Sequence, residues 1–157
     1  MESRAKKNLL IGLGNTLLKD DGVGVYADEK IKEMHPDEAW DIEVSALSGG
    51  KLLEIILGYR NVIVVDSILI DDRSPGEIIT FDISEMKSPF GPSPHYMGLP
   101  HMLATAKRMN LEIPEKIRVV AINVKDPYTF HEGLSSEIEK ALPRLVEEIE
   151  HEMISYV

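Results

Sequence analysis

Apolar and polar positions along this chain follow two periods, and the switches between them predict its elements. "NLLIGLG" (8–14) is an unbroken apolar run, as expected of a strand covered on both faces. From Gly22 the spacing becomes helical, with Val23, Ala27, Ile31 and Met34 on one face, ending near "HPDE". "DIEVSA" (41–46) alternates and predicts a second strand. Ser48 can then cap a short helix, "GGKLLEIILG", closed by Gly58. "NVIVVDSI" (61–68) predicts a third strand, apolar up to Asp66, and "GEIITFD" (76–82) a fourth. A proline-rich loop, "EMKSPFGPSPHYMGLP", leads into a helix carrying Leu99, Met102, Leu103 and Ala106. "IRVVAINV" (117–124) is the fifth strand. Ser135 and Ser136 open a last helix with Ile138, Leu142, Leu145, Ile149 and Met153 inward, which Pro143 is expected to bend.

Strands alternating with helices predict a three-layer α/β/α domain over residues 1–157, built on a mixed five-stranded sheet, mostly parallel. Strand four is the exception. A parallel crossover needs roughly a dozen residues or more, and the short turn containing Pro75 and Gly76 is too brief, so strand four should run antiparallel. The loops after strands one and three then open on the carboxyl edge of the sheet. Strand four runs back to the opposite edge, and the long loop over 83–97 returns the chain to the carboxyl edge before the third helix. Asp21, Asp66 and His95 are thereby directed to one edge, the usual ligand crevice of open α/β sheets.

Composition narrows what that edge can bind. The net charge is −10, and the 17 basic residues are scattered, which argues against nucleic acid or an anionic membrane surface as partner. The chain has no cysteine, excluding thiolate chemistry and Cys-ligated zinc. Neither an apolar signal core nor a run of membrane-spanning length is present, so no membrane insertion and a cytoplasmic location are expected. The first loop, "IGLGNTLLKDDGVG", begins like a dinucleotide fingerprint. Its third glycine would fall at Leu17, and Asp20 and Asp21 would repel phosphate, so no nucleotide is expected. A divalent cation would instead relieve the repulsion between two carboxylates. One imidazole with two carboxylates suits a borderline first-row metal, with positions left for water or substrate.

Each residue also has a plainer reading. Asp20 or Asp21 could simply cap the first helix. Asp66, buried in an apolar strand, needs either a cation or a donor such as Asn15. His95 could sit on the surface, and His131 could border the crevice. Ser48 and Ser67 lack a nucleophile-elbow context, and no helical His-Glu-x-x-His is present.

The motifs "GLGNTLLKDDGVG", "NVIVVDSI" and "SPHYMGLPHMLA", with "VVAINVKDPYTFHEGLS" more loosely, resemble the nickel–iron hydrogenase maturation endopeptidases from about Asn8 to Glu150. The resemblance implies a hydrolase that removes a C-terminal extension from the hydrogenase large-subunit precursor once nickel is inserted. It implies that Asp21, Asp66 and His95 bind metal, with nickel contributed by the substrate. Asp21 and Asp66 are then the candidate catalytic carboxylates, while Gly14, Asn15, Asp20 and Gly22 shape the loop. Asp21 stands where some relatives carry Glu. The rival readings are a non-catalytic metal-binding chaperone that inspects the nickel-loaded subunit, and a nucleotide-binding α/β protein.

Overall fold

The computed structural model describes residues 7–34, 39–46, 50–86, 96 and 98–156. Five strands form one sheet: β1 (Asn8–Leu13), β2 (Trp40–Ser45), β3 (Asn61–Ile68), β4 (Ile78–Asp82) and β5 (Lys116–Asn123). Their order is β2-β1-β3-β5-β4, with only the β4–β5 pair antiparallel. The short β3–β4 connection therefore has the consequence expected of it, and β1 and β3 are neighbours.

The two-residue period of the strands sorts the core into two layers. Leu9, Ile11 and Leu13 of β1 and Val62, Val64 and Ile68 of β3 pack with Leu52 and Ile56 of α2 (Gly50–Ile56) and Leu99 of α3 (Leu99–Arg108). Leu10, Ile63 and Val65 face the other way. They meet Val23, Ala27 and Ile31 of α1 (Val23–Met34) and Ile138, Leu145 and Ile149 of α4 (Ser136–Ile154). Met34, expected on the inward face of α1, is instead exposed at its last position. α4 continues through Pro143 as one helix. Ser48, expected to cap α2, and His95 lie outside the described residues.

Two glycines bring α1 down onto the sheet. A Cβ on Gly12 would come 2.3 Å from the Gly24 carbonyl oxygen, and one on Gly24 would come 2.6 Å from that of Val65. No side chain fits there, so the first turn of α1 lies directly over β1 and β3. The same approach traps Asp28. Its side chain faces Gly12, it is 1% exposed, and neither carboxylate oxygen has a hydrogen-bond partner among the described residues. Burial holds its pKa well above the usual carboxylate value of 3.8.

The loop that enters α1 is fixed from the far end of the sequence. Asp20 is fully buried, and its Oδ1 accepts the Ser135 backbone N–H at 2.7 Å. Its Oδ2 accepts the Ser135 hydroxyl at 2.9 Å and the backbone N–H groups of Asp126 and Lys125 at 2.9 and 3.2 Å. Asp20 thus serves the start of α4, not of α1, the helix it was expected to cap. Backbone bonds continue the seam: Asp20 N–H to the Asp126 carbonyl, Lys19 N–H to that of His131, and His131 N–H to that of Leu17. Buried Asn123 similarly gathers the turn after β3, accepting from the Ile70 N–H and donating to the Arg73 carbonyl.

These two buried aspartates should affect stability in opposite directions. Asp28 binds its proton more tightly folded than unfolded. Its cost to folding is therefore absent below the unfolded pKa and grows as pH rises toward the folded one. Asp28→Asn should stabilise the protein by roughly 1–3 kcal/mol at neutral pH, with the gain shrinking toward about pH 4, as read from denaturation midpoints across that range. Asp20→Asn places an amide N–H₂ among four donors. It should cost about 2 kcal/mol, roughly 4–8 °C in melting temperature.

Candidate active site on the carboxyl edge

The first loop leaves β1 at Gly14, which has a φ of +143°. A Cβ there would lie only 1.9 Å from the Asp21 carbonyl oxygen, so the position admits glycine alone. Gly22 shapes the loop by proximity, since a Cβ there would lie 2.8 Å from Thr16 Cα. Between them Lys19 holds a left-handed φ of 47°, a strained conformation that the seam to His131 over-determines. The loop folds back so that Asp21 Oδ2 accepts the Asn15 backbone N–H at 2.9 Å, while Asn15 Oδ1 accepts the Leu17 N–H at 2.9 Å. Asp21 remains partly exposed.

Asp66 and Ser67 are consecutive residues of β3, so the pleat sends their side chains to opposite faces of the sheet. Asp66 lies inside the strand, two residues before its end, and is fully buried. Its Oδ1 accepts the Ser67 N–H at 2.8 Å and its Oδ2 the hydroxyl of fully buried Tyr96 at 3.1 Å. Asn15, the donor expected for Asp66, serves Asp21 instead, because the loop curls its backbone amide onto its own carboxylate. Ser67 Oγ donates to Asp21 Oδ1 at 3.3 Å. One residue therefore contacts both carboxylates, one through its amide and the other through its hydroxyl.

Ser67 and Tyr96 are site residues that the sequence pattern does not single out. Their only signal is adjacency, each lying next in sequence to a candidate ligand. Burial raises the Tyr96 pKa well above its ordinary value, reinforced by the neighbouring Asp66 carboxylate, so the phenol stays a donor. Among the described residues no three metal-binding side chains cluster, and His95 is not among them. His131 lies exposed on the rim, bonded through its backbone to the Asp21 loop. Beside it, hydrogen bonds from the Thr129 hydroxyl and from the Tyr128 and Thr129 amides hold Asp126 at a pKa of about 2.

A cleft of about 760 Å³ opens at the opposite edge among Asn8, Arg60, Asn61, Lys116 and Arg118. Arg60 and Arg118 are already paired there with Glu115 and Glu152. The paired carboxylates on one serine make the carboxyl edge the candidate site.

Known proteins share this arrangement of elements. The sequence model of the hydrogenase maturation protease family matches residues 25–152, a span that contains Asp66 and position 95 and begins just after Asp21. The chain is 28% identical over 145 residues to the hydrogenase 2 maturation protease of Escherichia coli (strain K12), covering 90% of this chain and 87% of that protein. It is 29% identical over 151 residues to the coenzyme F420 hydrogenase subunit delta of Methanothermobacter thermautotrophicus, covering 90% of each. Among solved structures, the [NiFe] hydrogenase maturation protease HybD from Thermococcus kodakarensis superposes with a TM-score of 0.67 at 27% identity, over 92% of this chain and 97% of that one. An endopeptidase from Escherichia coli shares the fold with a TM-score of 0.73, over 91% of this chain and 89% of that one at 24% identity. With most of its length matched, the chain belongs to the hydrogenase maturation protease family and is a hydrolase.

Proposed function

We propose that this protein removes a C-terminal extension from a nickel-loaded hydrogenase large-subunit precursor, with Asp21, Asp66 and His95 gripping the nickel that the substrate carries. The observation that carries this reading is the shared serine: Ser67 fixes Asp66 through its amide and Asp21 through its hydroxyl, at the adjacent ends of β1 and β3. Two carboxylates so placed create a negative focus that a divalent ion neutralises. A carboxylate pair with one imidazole leaves positions on the ion for the precursor's own ligands. The first loop in this reading presents charge to a cation and holds no nucleotide.

The two carboxylates divide the work by burial. Asp66, sealed by Tyr96 and the Ser67 amide, is the fixed point of the grip. Asp21 is partly exposed and serves as general base. It takes a proton from water, the resulting hydroxide adds to the scissile carbonyl, and the C–N bond breaks as the proton passes to the leaving amine. The gripped ion anchors the precursor, so the scissile bond arrives as a positioned reactant rather than a mobile peptide.

Replacing Asp66 with Asn keeps the shape of the site, and the Tyr96 hydroxyl can turn to accept from the new amide. Folding should survive while trimming of a nickel-loaded precursor, followed by mass spectrometry, falls about 100-fold or more. Cleavage at the wild-type rate would remove Asp66 from the reaction.

Nickel dependence is the second test. The nickel-loaded precursor should be cut, whereas the metal-free precursor and the free tail peptide should not, even with zinc added, because a flexible peptide loses conformational freedom with little to offset it. His95→Ala should abolish cutting of the loaded precursor and weaken nickel or cadmium binding by the isolated protein. Efficient cutting of the metal-free precursor would identify an ordinary peptidase.

A further inference from the structure

The segment joining β5 to α4 is tied down as firmly as the site loop, yet it holds large apolar side chains in solvent. Asp126 Oδ1 accepts the Tyr128 and Thr129 N–H groups at 3.0 Å each, and its Oδ2 accepts the Thr129 hydroxyl. The Lys19–His131 and His131–Leu17 backbone bonds pair this segment with the Asp21 loop. On that fixed frame Tyr128 is 75% exposed, Phe130 81% and Leu17 50%. Leu17 and Phe130 each precede a member of the parallel bridge between Leu18 and His131, so they stand side by side. Singly exposed apolar residues need no explanation. Leu17 and Phe130 side by side on two bonded loops, with Tyr128 two positions before Phe130, place exposed apolar surface beside a carboxylate site, as interaction surfaces do.

Charge indicates what the patch meets. Among the described residues the cations of this edge are already engaged: Lys19 with Asp126, Lys125 with Glu137, and Arg73 with Glu77. Asp71 and Asp72, in the turn after β3, and Glu132, next to His131, are exposed and make no ion pair among the described residues. The rim thus combines aromatic surface with negative charge that makes no ion pair among the described residues.

We infer that Leu17, Tyr128 and Phe130 form the docking ridge for the polypeptide that is cut, and that the ridge receives a segment in which apolar side chains alternate with lysine or arginine. This rests on the endopeptidase reading above. The aromatic rings supply contact area at low entropic cost, and the acidic residues steer the basic segment. Because the ridge shares its backbone bonds with the Asp21 loop, a segment seated on it lies beside the carboxylates without any rearrangement of the enzyme.

The test compares wild type with the double variant Tyr128→Ser/Phe130→Ser, using a nickel-loaded hydrogenase large-subunit precursor as the probe. Both side chains are exposed, so the melting temperature should hold. The KM for the precursor should rise about 10- to 100-fold with kcat at saturation nearly unchanged, as loss of aromatic anchors predicts. Binding measured in an Asp66→Asn background should weaken by the same factor, and added salt should weaken it further. Nickel binding by the isolated protein should not change. An unaltered KM and Kd in the double variant would overturn the ridge while leaving the endopeptidase reading intact. A precursor that binds through the ridge but is never cut would overturn that reading and leave the ridge. If sedimentation shows a wild-type dimer that the double variant loses, with precursor binding intact, the occupant is a second copy and the proposal fails. It fails equally if the wild type binds no precursor.

Discussion

The carboxylate of Asp20 is the interaction on which the geometry of the candidate site depends. It lies without solvent exposure between the first loop and the start of α4, and four donors from residues 125, 126 and 135 converge on it. A buried anion is costly unless it is fully hydrogen-bonded, and here the donors satisfy it. The effect is to close a ring. The loop after β1 cannot move without moving the loop after β5, and Asp21, next in sequence, inherits that rigidity. Even the left-handed Lys19 is held in place by the same seam.

The second constraint is the pleat of β3. Consecutive strand residues face opposite layers, so Asp66 shares the α2–α3 side with Tyr96 and Leu99 while Ser67 reaches the α1 side. An isolated carboxylate on either face would be held by one layer only. Joined through Ser67, Asp21 and Asp66 are positioned by both layers, and packing on either face sets their separation. Gly12 and Gly24 complete the arrangement by letting the first turn of α1 lie against the sheet, which brings Asp21 within reach of the strand end.

Much of this architecture was legible in the sequence because it follows from local rules. The apolar runs locate the strands, and the short turn before "GEIITFD" forces β4 to run antiparallel. The adjacency of β1 and β3 then brings Asp21 and Asp66 to one edge. What was not legible depends on distant pairing. The donors to Asp20 lie more than a hundred positions away, so its sequence neighbourhood points only to a cap for the nearest helix. Asn15 suits Asp66 by chemistry, but a tight loop satisfies its own carboxylate first. Tyr96 follows a proline-rich stretch of sequence, and no local pattern announces that its hydroxyl ends on Asp66. Asp28 reads as one more polar position on an amphipathic helix. Its burial follows only once two glycines draw that helix onto the sheet.

Four aspartates within or beside the sheet therefore differ by the donors around them rather than by residue type. Asp20, with four donors, is a structural anion whose charge is fully used. Asp28, with no side-chain hydrogen-bond partner meeting ordinary geometry among the described residues, has its pKa raised well above the usual carboxylate value by burial. Asp66 and Asp21 lie between these extremes. Among the described residues, backbone and hydroxyl donors orient each of them. Hydrogen bonds of that kind hold a carboxylate in one orientation. A lysine or arginine in place of the Ser67 and Tyr96 hydroxyls would have neutralised the edge permanently. The nearby Lys19, Lys125 and Arg73 are paired instead with Asp126, Glu137 and Glu77, so these three cations of the edge are drawn to other carboxylates.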